Sequence, residues 1–312
     1  MKPDVLAATP LYAPVMEQLQ SRYTVHRLFE ADDRAGFLAR VQDKTTAIAT
    51  FGGAMDAKLM DALPKLKLIA CMSVGVDNVD LVAAKARGIQ VTNAPDVLTD
   101  DVADIAIALL IGVARNIVQA DRYLRAGHWV AKSSMPLASK LAGSTMGVLG
   151  LGRIGLAIAQ RAEALGVKIA YHGPRQKAGV KYRFYADLVE MATDVDYLMV
   201  ACPGGEATRH LVNGQVIAAL GEKGAIINIA RGSVIDETML VAALTAGKLR
   251  GAGLDVFANE PRVPAELIAL DNVTLLPHIG SATHATRRAM GQLMLDNLAA
   301  FFAGQALLTP VV

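Results

Sequence analysis

Three polar residues stand just past short apolar, β-branched runs, where an open α/β sheet brings its ligands. Arg231 follows Ile226-Ile227-Asn228-Ile229-Ala230. Glu260 comes shortly after Gly253-Leu254-Asp255-Val256-Phe257, and His278 follows Val273-Thr274-Leu275-Leu276-Pro277. A guanidinium, a carboxylate and an imidazole suit one reaction together. The guanidinium grips a carboxylate in bidentate fashion and polarises a neighbouring carbonyl. The protonated imidazole hands a proton to the carbonyl oxygen as hydride reaches the carbon. The carboxylate stabilises the imidazolium and so raises the fraction of acid available near neutral pH. Singly, each residue also fits a plainer role: a capping Arg, a surface Glu, a buried hydrogen-bonded His. Their joint placement at strand ends, downstream of a glycine-rich turn, favours the chemical reading.

That turn is Gly150-Leu151-Gly152-Arg153-Ile154-Gly155, which fits G-x-G-x-x-G. The motif alone is weak in a glycine-rich chain. Its context strengthens it, because the strand-like run Met146-Gly147-Val148-Leu149 precedes it and an amphipathic helical stretch follows. Gly150 allows the tight turn, Gly152 lets the backbone approach a pyrophosphate, and Gly155 lets helix pack closely on strand. The free N–H groups of the helix N-terminus then face the phosphates, and Arg153 adds a charge-assisted contact. The plainer reading is a βα turn without a ligand.

The residues after the next strand bear on which dinucleotide is bound. NAD-preferring sites place an acid about 20 residues after the glycines, on the ribose 2′-OH. Here Gly173 stands 18 residues beyond Gly155, no acid lies between Ala170 and Lys181, and Arg175 and Lys177 sit where a 2′-phosphate would lie. NADP(H) is therefore expected to be preferred, with NAD(H) possible. Arg175 and Lys177 also fit as ordinary solvated loop charges.

Parallel sheets covered by helices would position these groups, since short β-branched runs alternate with helical stretches throughout. Strands are expected at Val5–Ala8, Thr24–Leu28, Ala47–Thr50, Leu66–Met72 and Ile89–Asn93. Helical stretches at Tyr12–Gln20, Lys58–Leu63 and Leu81–Ala86 lie among them. A long helix is expected from Thr99 to about Leu124, with Gly127 as its stop. A second series follows: Thr145–Leu149, a helix Arg153–Leu165, then Val167–Tyr171, Tyr197–Ala201, Ala225–Ile229, Gly253–Val256 and Val273–Leu276. An amphipathic helix at about His284–Phe302 closes the chain.

Composition agrees with a large core and excludes other classes. The chain has 312 residues, 53% of them hydrophobic, with 27 Gly besides. That share is too apolar for intrinsic disorder. Lys and Arg number 31 against 29 Asp and Glu, a net charge of +2, too balanced for a protein that neutralises many nucleic-acid phosphates. Cys71 and Cys202 cannot build a disulfide framework, and no Cys/His cluster has metal-ligand spacing. The first sixteen residues lack a signal-peptide pattern, and the longest apolar run, Ile105–Ala114, covers about half of a membrane span. A cytoplasmic protein without membrane or nucleic-acid partners is expected.

Four motifs, in order and sensibly spaced, carry a family resemblance: Gly150–Gly155, Ile229–Gly232, Gly253–Pro261 and Pro277–Thr283. Together they resemble the D-isomer-specific 2-hydroxyacid dehydrogenases over essentially the whole chain, and within them the NADPH-dependent glyoxylate/hydroxypyruvate reductases. The resemblance implies two doubly wound, Rossmann-like parallel-sheet domains with a catalytic cleft between them. Residues 1–98, completed by the C-terminal helix in 284–312, would bind substrate, and 99–283 would bind the dinucleotide. It implies that Arg231 holds the carboxylate and keto oxygen of a small 2-keto acid, that His278 is the general acid/base, and that Glu260 is its partner. The run Met72–Asp77 resembles the substrate loop, with the Val74 and Gly75 N–H groups on the carboxylate. Asp255 would hold the nicotinamide carboxamide, Cys202, Pro203 and Thr208 would border the adenosine half, and Ile229, Ala230 and Gly280 would complete the cofactor contacts. A homodimer through the cofactor domain and the long helix is implied, and Trp129–Ala138 would reach the neighbouring active site.

Two departures stand out. Gly173 replaces the acidic ribose-binding residue, and Gly205 replaces the first Thr of the family's Pro-x-Thr-x-x-Thr run. Among relatives of the same fold, formate dehydrogenases carry Gln at the Glu260 position. A phosphoglycerate-type dehydrogenase or a nucleotide-sensing corepressor would be expected to add a regulatory domain or tails beyond Val312.

Overall fold

The computed structural model describes residues 2–130 and 134–312. The chain divides into two compact units, Met1–Leu98 with Thr283–Val312, and Thr99–Ala282. In the first unit, strands β1 (Asp4–Ala7), β2 (Thr24–Arg27), β3 (Ala47–Thr50), β4 (Leu68–Cys71) and β5 (Gln90–Thr92) pair in the order β2-β1-β3-β4-β5. Every pairing is parallel. The inner strands β3 and β4 are buried at every residue, whereas the edge strand β2 is not. Continuous apolar runs are what a parallel sheet covered on both faces requires. Helices α1 (Ala13–Arg22), α2 (Arg34–Val41), α3 (Ala57–Asp61) and α4 (Leu81–Ala86) connect them, and the last three begin at Asp33, Asp56 and Asp80, whose carboxylates accept from first-turn N–H groups.

The second unit begins with α5 (Thr99–Arg115) and α6 (Ile117–Arg125). It continues through β6 (Thr145–Leu149), α7 (Arg153–Ala164), β7 (Lys168–His172), β8 (Arg183–Tyr185), α8 (Leu188–Asp194), β9 (Tyr197–Val200) and α9 (Gly214–Leu220). Strand β10 (Ala225–Asn228), α10 (Glu237–Thr245), β11 (Gly251–Leu254), α11 (Ala265–Ala269) and β12 (Val273–Leu275) complete it. Its seven strands, all parallel, run β12-β11-β10-β9-β6-β7-β8. Counted from β6 this is the doubly wound dinucleotide-binding order extended by a seventh strand, and the order reverses between β6 and β9. Adjacent residues of β6 show how both faces are covered. A Cβ at Gly147 would lie 3.0 Å from Met191 of α8, while the Val148 side chain lies toward Gly155 of α7. Successive residues of a strand point to opposite faces, so α8 and α7 cover opposite sides. Glycines in β11 bring α5 close: a Cβ at Gly253 would stand 3.1 Å from Leu109 and Val113. Helix α12 (His284–Phe302) returns to the first unit.

Several sequence expectations are corrected here. The helix expected from Thr99 to Leu124 breaks at Asn116, a left-handed residue with φ 52°, so α5 and α6 are separate. Helix α6 buries none of its residues, so no core holds it in line with α5, and Asn is among the few side chains that adopt this turn readily. Gly127 does act as a stop, at φ 74°. The strand expected at Gly253–Val256 lies two residues earlier, so Asp255 is the first residue beyond it. Strand β8 and helices α2 and α8–α11 add to the elements read from sequence. Of the segment 129–138, residues 131–133 lie outside the described residues. Among the described residues no helix is long and apolar enough to cross a membrane.

Candidate active site

Strands β10, β11 and β12 are neighbours, so the chain leaves the sheet three times on one edge. Arg231 follows β10, Glu260 lies beyond β11, and His278 follows β12. The His278 Nδ1 lies 2.7 Å from Glu260 Oε2, and the Phe257 N–H donates to Glu260 Oε1 at 3.0 Å. An ionised carboxylate only accepts, so Nδ1 carries the hydrogen in this pair and Nε2 is the ring nitrogen that Glu260 does not engage. Burial pushes the Glu260 carboxyl up, but the hydrogen bonds from His278 and Phe257 and the charges of His278 and Arg231 outweigh it. The group ends below the usual carboxylate range. Arg231 thus stands near enough to act on Glu260, and the three side chains share one neighbourhood.

The sign of that shift sets a pH dependence. A depressed carboxyl contributes stability that is complete above its ordinary value, 4.5, and that is lost as the pH falls through the lower folded value. Denaturant unfolding of wild type and Glu260→Gln across roughly pH 3 to 7 should show the wild-type advantage at neutral pH and its loss at the acid end. A difference independent of pH would contradict the pairing.

Each strand exit is held by backbone contacts. Asn228, buried at the end of β10, accepts from the Ala230 N–H at 3.0 Å and donates to the Arg231 carbonyl at 3.0 Å. Its amide therefore clips the turn on both sides of the Arg231 side chain, whose Nη1 donates to the Ala230 carbonyl at 2.7 Å. Gly232 packs against the Phe257–Ala258 backbone so closely that any Cβ would collide with it, which locks the Arg231 turn to the Glu260 loop. His278 itself is left-handed, at φ 54°. The next two N–H groups, of Ile279 and Gly280, donate to Asp255 at 2.7 and 2.8 Å. Burial raises the Asp255 carboxyl despite these bonds. Asn228, Gly232 and the loop-holding contacts of Asp255 escaped the sequence reading. The Asn three residues before Arg231 was the available signal, since Asx side chains commonly bond nearby backbone.

The glycine-rich turn has the shape a pyrophosphate needs. Gly150 has φ 94°, and a Cβ there would stand 2.5 Å from Cys202 Cα. Gly155 abuts the Gly150 carbonyl, so a side chain there would drive α7 off the strand. A Cβ at Gly152, by contrast, meets nothing within 4 Å, and this residue stands just before the first turn of α7 and gives it no side-chain cap. The open side of the turn thus presents backbone N–H groups and Arg153, with Leu151 buried behind and Ile154 half-buried. Beyond β7, Gly173 has open space around its Cα, and Arg175 and Lys177 are exposed. These residues fit a dinucleotide with a 2′-phosphate. Ile229 and Ala230 are buried at the end of β10. Cys202 is buried beside the turn, which pushes its thiol up to about 11, and Cys71 lies in the core of the first unit with its thiol pushed up to about 12. Pro203 is exposed, and the Thr208 hydroxyl turns back onto its carbonyl at 2.7 Å.

Val74 and Gly75 belong to the first unit, in the loop after β4. The Asn93 amide donates to the Val74 carbonyl at 2.9 Å, and the Ser73 hydroxyl donates to the Gly75 carbonyl at 2.8 Å. The loop's carbonyls are therefore engaged by its own unit, and among the described residues its Val74 and Gly75 N–H groups have no acceptor.

Known proteins share this architecture. The description "D-isomer specific 2-hydroxyacid dehydrogenase, NAD binding domain" matches residues 107–280. Hydroxyphenylpyruvate reductase of Plectranthus scutellarioides is 46% identical over 309 residues, covering 99% of this chain and 98% of its own. Glyoxylate/hydroxypyruvate reductase A of Arabidopsis thaliana is 45% identical with the same coverage. The crystal structure of an NADPH-dependent glyoxylate/hydroxypyruvate reductase from Sinorhizobium meliloti, in complex with NADP and malonate, is 45% identical. It covers 100% of this chain and 97% of its own, with a TM-score of 0.93. A dinucleotide turn, a doubly wound parallel sheet and 45–46% identity along nearly the full length of several reductases leave one classification, and the chain belongs to the D-isomer specific 2-hydroxyacid dehydrogenases.

Proposed function

We propose that this protein reduces small 2-keto acids, glyoxylate and hydroxypyruvate among them, to D-2-hydroxy acids with NADPH. The support is the convergence of a guanidinium, a carboxylate and an imidazole on one edge of the dinucleotide-binding unit, with His278 Nδ1 bonded to Glu260. Bound at the turn Gly150–Gly155, reduced NADP would supply the hydride. Arg231 binds the substrate carboxylate and draws electron density from the keto oxygen. His278 holds a proton at Nε2 and delivers it to that oxygen as the alkoxide charge develops. Glu260 keeps the ring oriented and offsets the imidazolium charge. Arg175 and Lys177 attract the 2′-phosphate.

The test is kcat/KM with NADPH and with NADH across a panel of 2-keto acids, followed by nicotinamide absorbance. Turnover of glyoxylate or hydroxypyruvate with at least about tenfold preference for NADPH is expected, the size of one charge-assisted contact. No turnover with any acid would overturn the reading, and preference for NADH would overturn the cofactor part. The exposed apolar side chains Ile117, Leu124, Trp129 and Leu137 on and after α6 support a homodimer as the working unit. A sedimentation mass of one chain would refute it.

A further inference from the structure

We propose that Gly204 is a positioning residue for Arg231: its missing side chain lets the loop after β9 lie directly along the stem of the arginine and so fixes where the guanidinium points. The inference rests on the reading that Arg231 holds the substrate carboxylate. Strands β9 and β10 pair in register, Val200 opposite Asn228, so the loop leaving β9 and the turn carrying Arg231 emerge side by side. A Cβ at Gly204 would stand 2.6 Å from Arg231 Cγ, 3.2 Å from its Cβ and 3.7 Å from its Cδ. These are the root atoms of the side chain, not its flexible tip. Backbone torsion is not the reason for glycine here, because Gly204 is not among the residues with positive φ. Gly205 presents the opposite case, with φ 134° and nothing within 4 Å of a Cβ. One glycine is required by space and its neighbour by torsion.

Arg231 has little freedom to retreat. Its backbone is clipped by Asn228 on one side and pressed by Gly232 onto Phe257–Ala258 on the other. A methyl group at 204 must therefore turn the side chain about its first torsions, which swings the guanidinium off the Ala230 carbonyl that Nη1 now meets at 2.7 Å. Displacements of about 1 Å at a positioning group can reduce turnover about a hundredfold. The other end of the same loop is anchored at Cys202, whose Cα and N would lie 2.5 and 2.6 Å from a Cβ at Gly150. The loop is thus wedged between the glycine turn and the arginine stem.

The experiment uses the full-length enzyme. With NADPH saturating, Gly204→Ala should raise KM for glyoxylate and hydroxypyruvate at least about tenfold and lower kcat, while NADPH affinity, read by its fluorescence, stays within about twofold. In an Arg231→Gln background the same change should add little, because the clamp is already lost, and a merely structural defect would add in full. Should Gly204→Ala not fold, Gly204→Ala/Arg231→Ala, with the stem removed, should fold and melt cooperatively. Unchanged KM and kcat in Gly204→Ala, additive losses in the double variant, NADPH affinity falling in step with turnover, or failure of both variants to fold would each overturn the proposal. An inactive wild type would instead sink the reading beneath it.

Discussion

His278→Ala is expected to lower kcat for keto-acid reduction by about 10²- to 10⁴-fold, or roughly 3–5 kcal/mol of activation free energy, while NADPH affinity changes by less than about threefold. The separation follows from where the ring sits. The imidazole is about half exposed, with side-chain exposure of 47%, and its bonded partner is Glu260. Removing it opens no hole in the core. The loop after it is fastened by the Ile279 and Gly280 N–H groups to Asp255, and alanine retains both bonds. On the proposed mechanism, what disappears is the proton delivered to the keto oxygen, and water is a poorly placed substitute. Steady-state kinetics with a fluorescence titration of NADPH decide the matter. A kcat within about tenfold of wild type would show that another group delivers the proton.

Arg231→Gln should cut kcat/KM by about 10³-fold or more, divided between a raised KM and a lowered kcat. Glutamine keeps one donor and much of the length but neither the charge nor the paired N–H geometry that a carboxylate demands. The rise in KM reports the ground-state carboxylate, and the loss of kcat reports stabilisation of the keto oxygen as it gains charge. Glu260 should respond as well. One of the charges that hold its carboxyl down is Arg231, so in the variant it moves back toward its ordinary value. A variant whose kcat falls while KM is untouched would remove the arginine from substrate binding.

Much of the fold is legible in the sequence, for physical reasons that differ from residue to residue. The strands Ala47–Thr50 and Thr145–Leu149 match expectation to the residue because a parallel strand buried on both faces announces itself as an unbroken apolar run. Strand β8 carries no such run. It is three residues, Arg183-Phe184-Tyr185, at a sheet edge, and only its pairing with β7 makes it a strand. Helices α8 and α10 did carry a signal, Asp187 and Asp236 at their caps, that apolar periodicity in short helices cannot supply. The break at Asn116 was hidden because the apolar residues on either side continue the helical pattern.

At the site, residue type and position after a strand singled out Arg231, Glu260 and His278, because the chemistry proposed for them is in the side chain. Gly204, Gly232 and Asn228 matter through steric room and main-chain bonds. Those depend on what lies opposite in the fold, which spacing along the chain does not express.

The left-handed turn at His278 has a broader consequence. Glycine is the residue that adopts such torsions without penalty, and a side chain bearing Cβ is disfavoured there by about 1–2 kcal/mol. Glycine, however, has nothing with which to donate a proton. At this one position the protein forgoes some of the robustness its chain could have had, and under the proposed role of His278 what it keeps in exchange is an acid already aimed before any reactant arrives.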